Sequence, residues 1–269
     1  MVLQNPLGVG LAPLTVGRPD PLTMVAAAEA GGFDSLGMTL WVPDEDCAPV
    51  CRDPRLLAEV RRRIEATGVS VTDVGVVVLR PRLDIDVVER VLVTAHALGA
   101  RLVIVMNADD DGRRAASALR TVADLARPYG LLVGVEFMPY SCTRTVAEAQ
   151  QLAADTGADN VGLVLDVLHL FRSGGTADDL REPAVRALQL VQLCDAERAG
   201  PGPDRLRAEA LAGRRYPGEG ELPLEQFLAL VPAGVPITLE APTVQDATRS
   251  PQQRAVRAAA AMRRFLSER

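Results

Sequence analysis

The sequence predicts an α/β fold, a single (β/α)8 TIM barrel that spans residues 1–269. Three observations lead to this prediction. Short apolar runs alternate eight times with longer stretches of helical periodicity, and such alternation is typical of a parallel sheet. Eight such units in 269 residues fit the size of a closed barrel. With 48% hydrophobic residues, the chain can fill one large core.

The apolar runs give eight predicted strands, each bounded by polar residues, Gly or Pro. In chain order they cover residues 8–16, 35–40, 69–79, 101–107, 131–138, 161–168, 188–195 and 236–241. The carboxyl ends of parallel barrel strands meet at one mouth, and barrels of this kind place their active sites there. We therefore expect the functional residues at the ends of these strands.

Helical segments separate the predicted strands. Examples are PRLLAEVRRRIEATG at 54–68, DIDVVERVLVTAHALGA at 84–100 and GRRAASALRTVADLARPYG at 112–130, and SPQQRAVRAAAAMRRFLSER at 250–269 is the predicted closing helix. Several end near a Gly, which favours a left-handed cap. The one long connection, residues 196–222, follows the seventh strand. A loop of this length in a compact domain tends to be functional.

Composition and charge exclude several classes of function. The chain contains no Lys among its 29 basic residues, so mechanisms that need a lysine Schiff base are excluded. A net charge of −6 gives no basic surface for nucleic acid, and no apolar run is long enough to cross a membrane. We expect a small-molecule substrate. The amino-terminal residues lack the features of a signal peptide, so we expect a cytoplasmic protein with reduced cysteines.

Four polar residues stand at the ends of the last four predicted strands. They are Glu136, Asp166, Gln192 and Glu240, and Asp166 interrupts the apolar run VGLVLDVLHLF. Carboxylates in one apolar-walled cavity repel each other unless a cation holds them. An all-oxygen set suits Mg²⁺ or Mn²⁺ better than Zn²⁺. These four residues are the predicted ligands of one divalent cation; the alternative for each carboxylate is a helix cap or an ion pair with Arg.

Further candidates lie near the same mouth. His169 follows Asp166 by three residues and is predicted to be functional, although a lone His can also be hydrogen-bonded in a loop. Predicted substrate-binding residues are Trp41, Arg80, Asn107 and Arg215. A packing role is the alternative for Trp41, and surface salt bridging is the alternative for Arg80. Arg214 and Arg215 in the long loop are both suited to clamp an acidic group.

These residues carry a resemblance to a known family. The order Glu136, Asp166-x-x-His169, Gln192-x-x-Asp195 and Glu240, together with PGEGEL at 217–222, resembles the sugar phosphate isomerase/epimerase superfamily of xylose isomerase-like TIM barrels. The resemblance covers nearly the whole chain. It implies proton abstraction next to a carbonyl, with an enediolate or enolate stabilised by a divalent cation, Mn²⁺ or Mg²⁺, with Co²⁺ as an alternative. It also implies that Asp195 orients a neighbouring group.

The resemblance assigns catalytic roles to Glu136, Glu240 and His169. In the epimerases of this superfamily two glutamates act on opposite faces of the substrate carbon, and in its dehydratases a histidine takes part in proton transfer. The expected function is a metal-dependent isomerase or epimerase of a small polyhydroxylated carbonyl compound. The alternative is a lyase of the 3-dehydroshikimate dehydratase type, because Gln192 stands where the epimerases often have His. The sequence leaves the substrate and the oligomeric state open.

Overall fold

The strands of the chain close into an eight-stranded parallel barrel. In this computed structural model, the described residues are 8–42, 46–180 and 184–268. The barrel strands are β1 (Gly10–Leu11), β2 (Ser35–Thr39), β3 (Ser70–Leu79), β4 (Leu102–Asn107), β5 (Leu132–Glu136), β6 (Val161–Asp166), β7 (Leu188–Leu193) and β8 (Ile237–Leu239). Each strand pairs with the next in sequence, and β1 pairs with β8 to close the ring. The predicted (β/α)8 barrel is confirmed.

Helices cover the outside of the barrel. They are α1 (Pro21–Gly31), α2 (Pro54–Thr67), α3 (Ile85–Ala97), α4 (Gly112–Ala126), α5 (Val146–Thr156), α6 (Val167–Arg172), α7 (Leu206–Ala212), α8 (Leu224–Leu228) and α9 (Pro251–Ser267). Many begin at a residue whose side-chain oxygen accepts hydrogen bonds from the first-turn backbone, namely Asp20, Asp53, Asp84, Asp111, Thr145, Asp166 and Ser250. Such caps satisfy backbone donors that have no partner inside the helix.

Six of the eight strands end before their predicted ends, and two of them have a clear local cause. The first run, 8–16, gives a short strand because Pro13 begins a 3₁₀ helix over Pro13–Val16. The sixth, 161–168, ends at Asp166 because that side chain caps α6. Apolar residues continue on both sides of the break, so hydrophobicity alone does not reveal it.

The lower part of the barrel is a packed core. Leu102, Ile104, Val164 and Leu190 form a buried cluster inside the ring, with Val76 against them. A β-carbon added at Gly134 would lie 2.6 Å from a methyl of Val164, so this glycine permits the close packing. The space available to a ligand therefore lies above this layer, towards the carboxyl ends of the strands.

The long connection after β7 is held to the barrel at its ends. Asp195 and Arg215 pair through two backbone hydrogen bonds of 2.8 Å. The Asp195 carboxylate also accepts hydrogen bonds from the backbone N–H groups of Gly218, Gly220 and Leu222, each at 3.0 Å. Between these contacts the chain forms α7. The buried ion pair of Arg172 with Glu209, at 2.7 Å, joins α6 to α7.

None of the helices in the described ranges combines the length and apolarity that a membrane crossing requires. The longest, α9, has 17 residues and carries several Arg.

Candidate active site

A cavity of about 360 Å³ opens at the carboxyl ends of the strands, within the usual size range of small-molecule sites. Residues from all around the ring of strands and from α7 form its wall. The lining residues include Pro13, Arg18, Met38, Trp41, Asp73, Gly75, Ile104, Met106, Glu136, Tyr140, His169, Gln192, Arg207, Ala210, Leu211, Arg214 and Glu240. The cavity therefore lies where the sequence predicts the active site.

The four predicted metal ligands lie together at this end of the barrel. Glu136, Gln192 and Glu240 line the cavity, and Asp166 lies fully buried beside it. Asp166 and Gln192 are direct neighbours in the pairing of β6 with β7. All four side chains are buried, although each is polar or charged. Such a group needs charge compensation in a medium of low polarity.

Arg214 supplies part of that compensation. Its guanidinium donates a hydrogen bond to Asp166 Oδ2 and lies 3.3 Å from Glu240 Oε2. It also donates to the backbone oxygens of Ala210 (2.8 Å) and Glu240 (3.1 Å). Sequence reasoning expected a metal cation as the partner of Asp166, with an ion pair to Arg as the alternative, and the structure shows an arginine in direct contact with it. If all three carboxyl groups were ionised, one guanidinium would leave an excess of negative charge.

The electrostatics of the cluster separate its carboxyl groups. Burial acts to raise the pKa of Asp166, but the charges of Arg214 and His169 and the hydrogen bonds with Arg214 and Glu240 together hold that pKa below its ordinary value. Burial raises the pKa of Glu240 to about 7, and the charge of Asp166 adds to the effect. Burial, followed by the charges of Glu240 and Asp166, raises the pKa of Glu136 well above its usual range. Asp166 is thus ionised, whereas the two glutamates retain protons readily.

Asp166 also fixes the position of His169. Its Oδ1 accepts hydrogen bonds from the backbone N–H groups of Leu168 (2.8 Å) and His169 (3.2 Å), which starts α6. The His169 ring lines the cavity and meets Tyr140 edge to face, with ring centroids 5.5 Å apart. Burial lowers the pKa of His169 to about 4. The imidazole is therefore neutral at pH 7 and offers one donor and one acceptor.

Two sets of side chains could hold a cation here, one that includes His169 and one that includes Gln192. Candidate ligand atoms of Glu136, Asp166 and His169 all lie within 4.8 Å of one another. Gln192, one of the predicted ligands, has a buried amide oxygen Oε1 without a hydrogen-bond partner among the residues described. An unsatisfied amide oxygen next to these carboxyl groups is a suitable donor for a hard divalent cation. The cluster thus has the composition of an oxygen-rich metal site.

The structure brings one of the four predicted substrate-binding residues to the cavity. Trp41 lines it and is 8% exposed. Asn107 does not line it, because its amide donates to Thr143 Oγ1 (3.2 Å) and accepts from the backbone N–H of Asp109 (2.9 Å). The side chain of Asn107, at the end of β4, therefore holds the loop that follows the strand.

The two remaining predicted substrate-binding residues also lie outside the cavity lining. Arg215 donates to the Glu197 carboxylate and to the backbone oxygen of Glu219 (3.1 Å), so it belongs to the outer loop. Arg80, half-buried after β3, is not among the lining residues either. Of the adjacent pair 214 and 215, the structure places Arg214 in the site, because neighbouring residues of an extended segment point to opposite sides.

Sequence reasoning missed other lining residues. Tyr140 and Arg18 line the cavity, as does Asp73 on the opposite half of the barrel. Tyr140 lies in a loop after β5 and Arg18 in a loop after β1, where no periodic pattern marks a position. Asp73 carries a usable signal, since it interrupts the apolar run VSVTDVGVVVL as Asp166 interrupts its own.

Comparison with known proteins agrees with the barrel fold. A curated inosose isomerase from Halalkalibacterium halodurans is 30% identical over 121 residues, which are 44% of this chain and 41% of that protein. The chain thus aligns with less than half the length of this relative. A crystal structure of the IolI protein with a bound zinc atom has a TM-score of 0.80 at 18% identity, covering 97% of this chain and 98% of that one.

A further solved structure with the same fold is the probable 3-DHS dehydratase AsbF from Bacillus anthracis. Its TM-score is 0.75 at 13% identity, and the match covers 96% of this chain and 98% of that one. A family model described as xylose isomerase-like TIM barrel matches residues 25–266. That range includes the whole of the buried carboxylate cluster, His169 and Arg214. The chain belongs to the family of xylose isomerase-like TIM barrels.

Proposed function

We propose that this chain is a divalent-metal-dependent isomerase or epimerase of a small polyhydroxylated carbonyl compound. The observation that carries the proposal is the meeting of Glu136, Asp166, Gln192 and Glu240 at one buried cavity that also presents a neutral His169. The likeness to an inosose isomerase supports the reaction class. We also propose that residues 1–269 work as one barrel domain on a small soluble substrate.

The residues present fit a divalent cation. When all three carboxyl groups are ionised, the cluster carries three negative charges against the one positive charge of Arg214, and the two charges of a divalent cation would balance the difference. The unpaired Oε1 of Gln192 would gain a partner as a ligand. Glu136, Asp166, Gln192 and Glu240 would hold the ion. Because all four offer oxygen, we propose Mn²⁺ or Mg²⁺, with Co²⁺ as an alternative, in preference to Zn²⁺.

The two glutamates are placed to move a proton at a substrate carbon. Glu136 ends β5 and Glu240 directly follows β8, and these strands are three apart in the ring, so the two glutamates approach a bound substrate from different sides. A general base works best with a pKa near the working pH, and burial raises the pKa of Glu240 to about 7. When bound, the cation would polarise the substrate carbonyl and make the neighbouring C–H more acidic.

His169 and Arg214 complete the proposed site, where both would act on oxygen atoms of the substrate. A neutral imidazole can donate a proton to one substrate oxygen and accept one from its neighbour, which isomerisation of a hydroxy carbonyl requires. Arg214 lines the cavity and holds Asp166 in place through its guanidinium. Its positive charge at the cavity wall would stabilise an oxygen that becomes negative during the reaction.

The experiment that tests this function is proton exchange followed by NMR. The Mn²⁺-loaded protein is incubated in D₂O with an inosose, a set of ketohexoses and 3-dehydroshikimate. We expect deuterium at a carbon next to the carbonyl of one compound, together with the isomerised product. Glu240→Gln should abolish exchange, whereas Glu225→Gln, at an exposed position of α8, should leave it unchanged. Absence of exchange in every compound would contradict the proposal.

A dehydratase of the 3-dehydroshikimate type is the second candidate, favoured by one observation. Gln192 stands at the position where epimerases of the superfamily often have His, and it resembles the bacterial 3-dehydroshikimate dehydratases there. The same experiment separates the two candidates. Loss of water gives a conjugated product that absorbs in the ultraviolet, whereas isomerisation keeps the elemental composition of the substrate.

A further inference from the structure

We propose that Asp73 contacts the substrate directly and binds a hydroxyl group on the part of the substrate that lies away from the carboxylate cluster. Asp73 is on β3 and lines the same cavity as the cluster. The inference rests on the proposed function for its substrate class, a polyhydroxylated compound. In addition to the contacts with the carboxylate cluster, it gives the substrate a polar contact on the half of the barrel that the metal-ligand candidates do not occupy.

The position of β3 in the ring places Asp73 far from the proposed ligands in barrel order. The ligands come from β5, β6 and β7 and from the end of β8, and β3 stands directly opposite β7 in the eight-stranded ring. The lining residues of β2, β3 and β4 are otherwise uncharged: Met38, Thr39, Gly75, Val76, Val78, Ile104 and Met106. A substrate that fills the cavity therefore meets one ionisable group on this side.

The Asp73 carboxyl has no visible structural task. The residue is 5% exposed, and its Oδ1 has no hydrogen-bond partner within the described part of the chain. It caps no helix there and makes no salt bridge. Burial alone raises its pKa to about 7. A buried polar group without a partner destabilises a fold, so its presence at a cavity wall points to a partner that arrives with the ligand.

Neighbouring residues make room for this carboxyl. A β-carbon added at Gly37 would lie 2.6 Å from Asp73 Oδ2, and the same atom would lie 3.0 Å from the ring of Pro13. Gly37 is directly paired with Asp73 between β2 and β3. The missing side chain at position 37 thus provides the space that the carboxyl occupies, and any larger residue would displace it.

The chemistry of the site selects the kind of group that it binds. A protonated carboxyl offers one donor and further acceptor positions, which complement a hydroxyl. An anionic group next to it would be repelled once the carboxyl ionises. We therefore assign this end of the cavity to a hydroxyl-bearing carbon of the substrate and not to a carboxylate or phosphate.

The test uses myo-inositol, a cyclic polyol without a carbonyl that the proposed reaction cannot convert. Calorimetric titration of the Mn²⁺-loaded wild type is compared with Asp73→Ala, Asp73→Asn and Gly37→Ala. Asp110, whose side chain is 94% exposed, provides the matched controls Asp110→Ala and Asp110→Asn. We expect Asp73→Ala to weaken binding about tenfold or more, as for one lost hydrogen bond in a dry site. Asp73→Asn keeps a donor and an acceptor and should retain most of the affinity.

The outcomes separate this inference from the proposed function. Binding that depends on Asp73 in a protein that isomerises no compound would support the inference and contradict the function. Turnover with an unchanged KM in Asp73→Ala would support the proposed function and contradict the inference about Asp73. Failure of the wild type to bind myo-inositol also overturns the inference. If Asp73→Ala does not fold, a crystal structure of the wild type with myo-inositol decides: a hydroxyl within hydrogen-bond distance of Asp73 supports the contact, and a longer separation overturns it.

Discussion

The guanidinium of Arg214 is hydrogen-bonded to the carboxylate of Asp166, which lies beside the cavity and 48 residues away in sequence. Both side chains are almost completely buried. Asp166 uses its other oxygen to cap α6, so neither oxygen is without a partner. The pair therefore links the long loop after β7 to the helix that carries His169, and it accounts for the stability of an ionised Asp166 inside the barrel.

Removal of Arg214 should destabilise the protein far more than removal of its neighbour. Arg214→Leu leaves Asp166 buried without its counter-charge, and breaking a buried pair costs about 3–5 kcal/mol of the free energy of unfolding. Arg215→Leu is the matched control, because the Arg215–Glu197 pair is partly exposed and such pairs contribute about 1 kcal/mol or less. Urea unfolding of the metal-free proteins measures both. Equal losses in the two variants would contradict the assigned role of Arg214.

Gln192 should contribute to metal affinity. We expect Gln192→Ala to weaken Mn²⁺ binding by about 10- to 100-fold, because the variant removes an oxygen that has no other partner. Gln192→His should shift the preference towards Zn²⁺ or Co²⁺. Metal analysis after dialysis gives both results, with Gln226→Ala on exposed α8 as the control. An unchanged Mn²⁺ affinity in Gln192→Ala would remove Gln192 from the ligand set.

His169 should act on the substrate and not on the metal. His169→Asn keeps the backbone N–H that Asp166 caps, so α6 should remain intact. We expect turnover to fall by a factor on the order of 10² to 10⁴, as for a lost acid or base, at normal metal content. His169 also lies within the group of potential ligands with Glu136 and Asp166. Loss of bound Mn²⁺ in the variant would therefore identify His169 as a ligand.

Asp73 should make the stability of the metal-free protein depend on pH. Burial raises its pKa from 3.8 to about 7, so its contribution is complete below the ordinary pKa and is lost as the pH rises through the raised value. Asp73→Asn removes this titration. Between pH 5 and pH 8 the free energy of unfolding of the wild type should fall by on the order of 2 kcal/mol relative to Asp73→Asn.

Glu136 and Glu240 titrate in both proteins of that comparison. Burial is the one cause of the raised pKa at Asp73, so the contributions of the two glutamates cancel in the difference. Urea unfolding at several pH values in the presence of a chelator gives the two curves, and Asp110→Asn should follow the wild type. Parallel curves for the wild type and Asp73→Asn would show that Asp73 is charged at all these pH values or has an unseen partner.

The sequence was sufficient for the barrel because the fold depends on a repeated pattern. Eight apolar runs alternate with helical segments, and each run contains one of the eight strands. The exact ends of the strands could not be predicted from this repeated pattern. The end of β6 depends on a cap made by Asp166, and the end of β1 depends on Pro13, which are local effects inside an apolar stretch.

Site residues on the strands were easier to predict than those on loops. A polar residue within an apolar strand is unusual, and this signal marks Asp166 in the sequence. The same signal at Asp73 lies in the middle of β3, so reasoning restricted to strand ends does not reach it. The choice between Arg214 and Arg215 depends on which neighbour points inward. That is decided by the backbone pairing of Asp195 with Arg215, which no local pattern reveals.

That backbone pairing divides the long loop into two parts with different freedom to vary. Arg214 is fixed at the charged cluster, since its neighbour Arg215 is paired with Asp195 and the following turn is held by the Asp195 carboxylate. Arg207, Ala210 and Leu211 lie before the anchor and form the part of the cavity wall contributed by α7. We therefore expect that exchange of α7 would change the range of compounds that the cavity admits, while the charge arrangement stays in place.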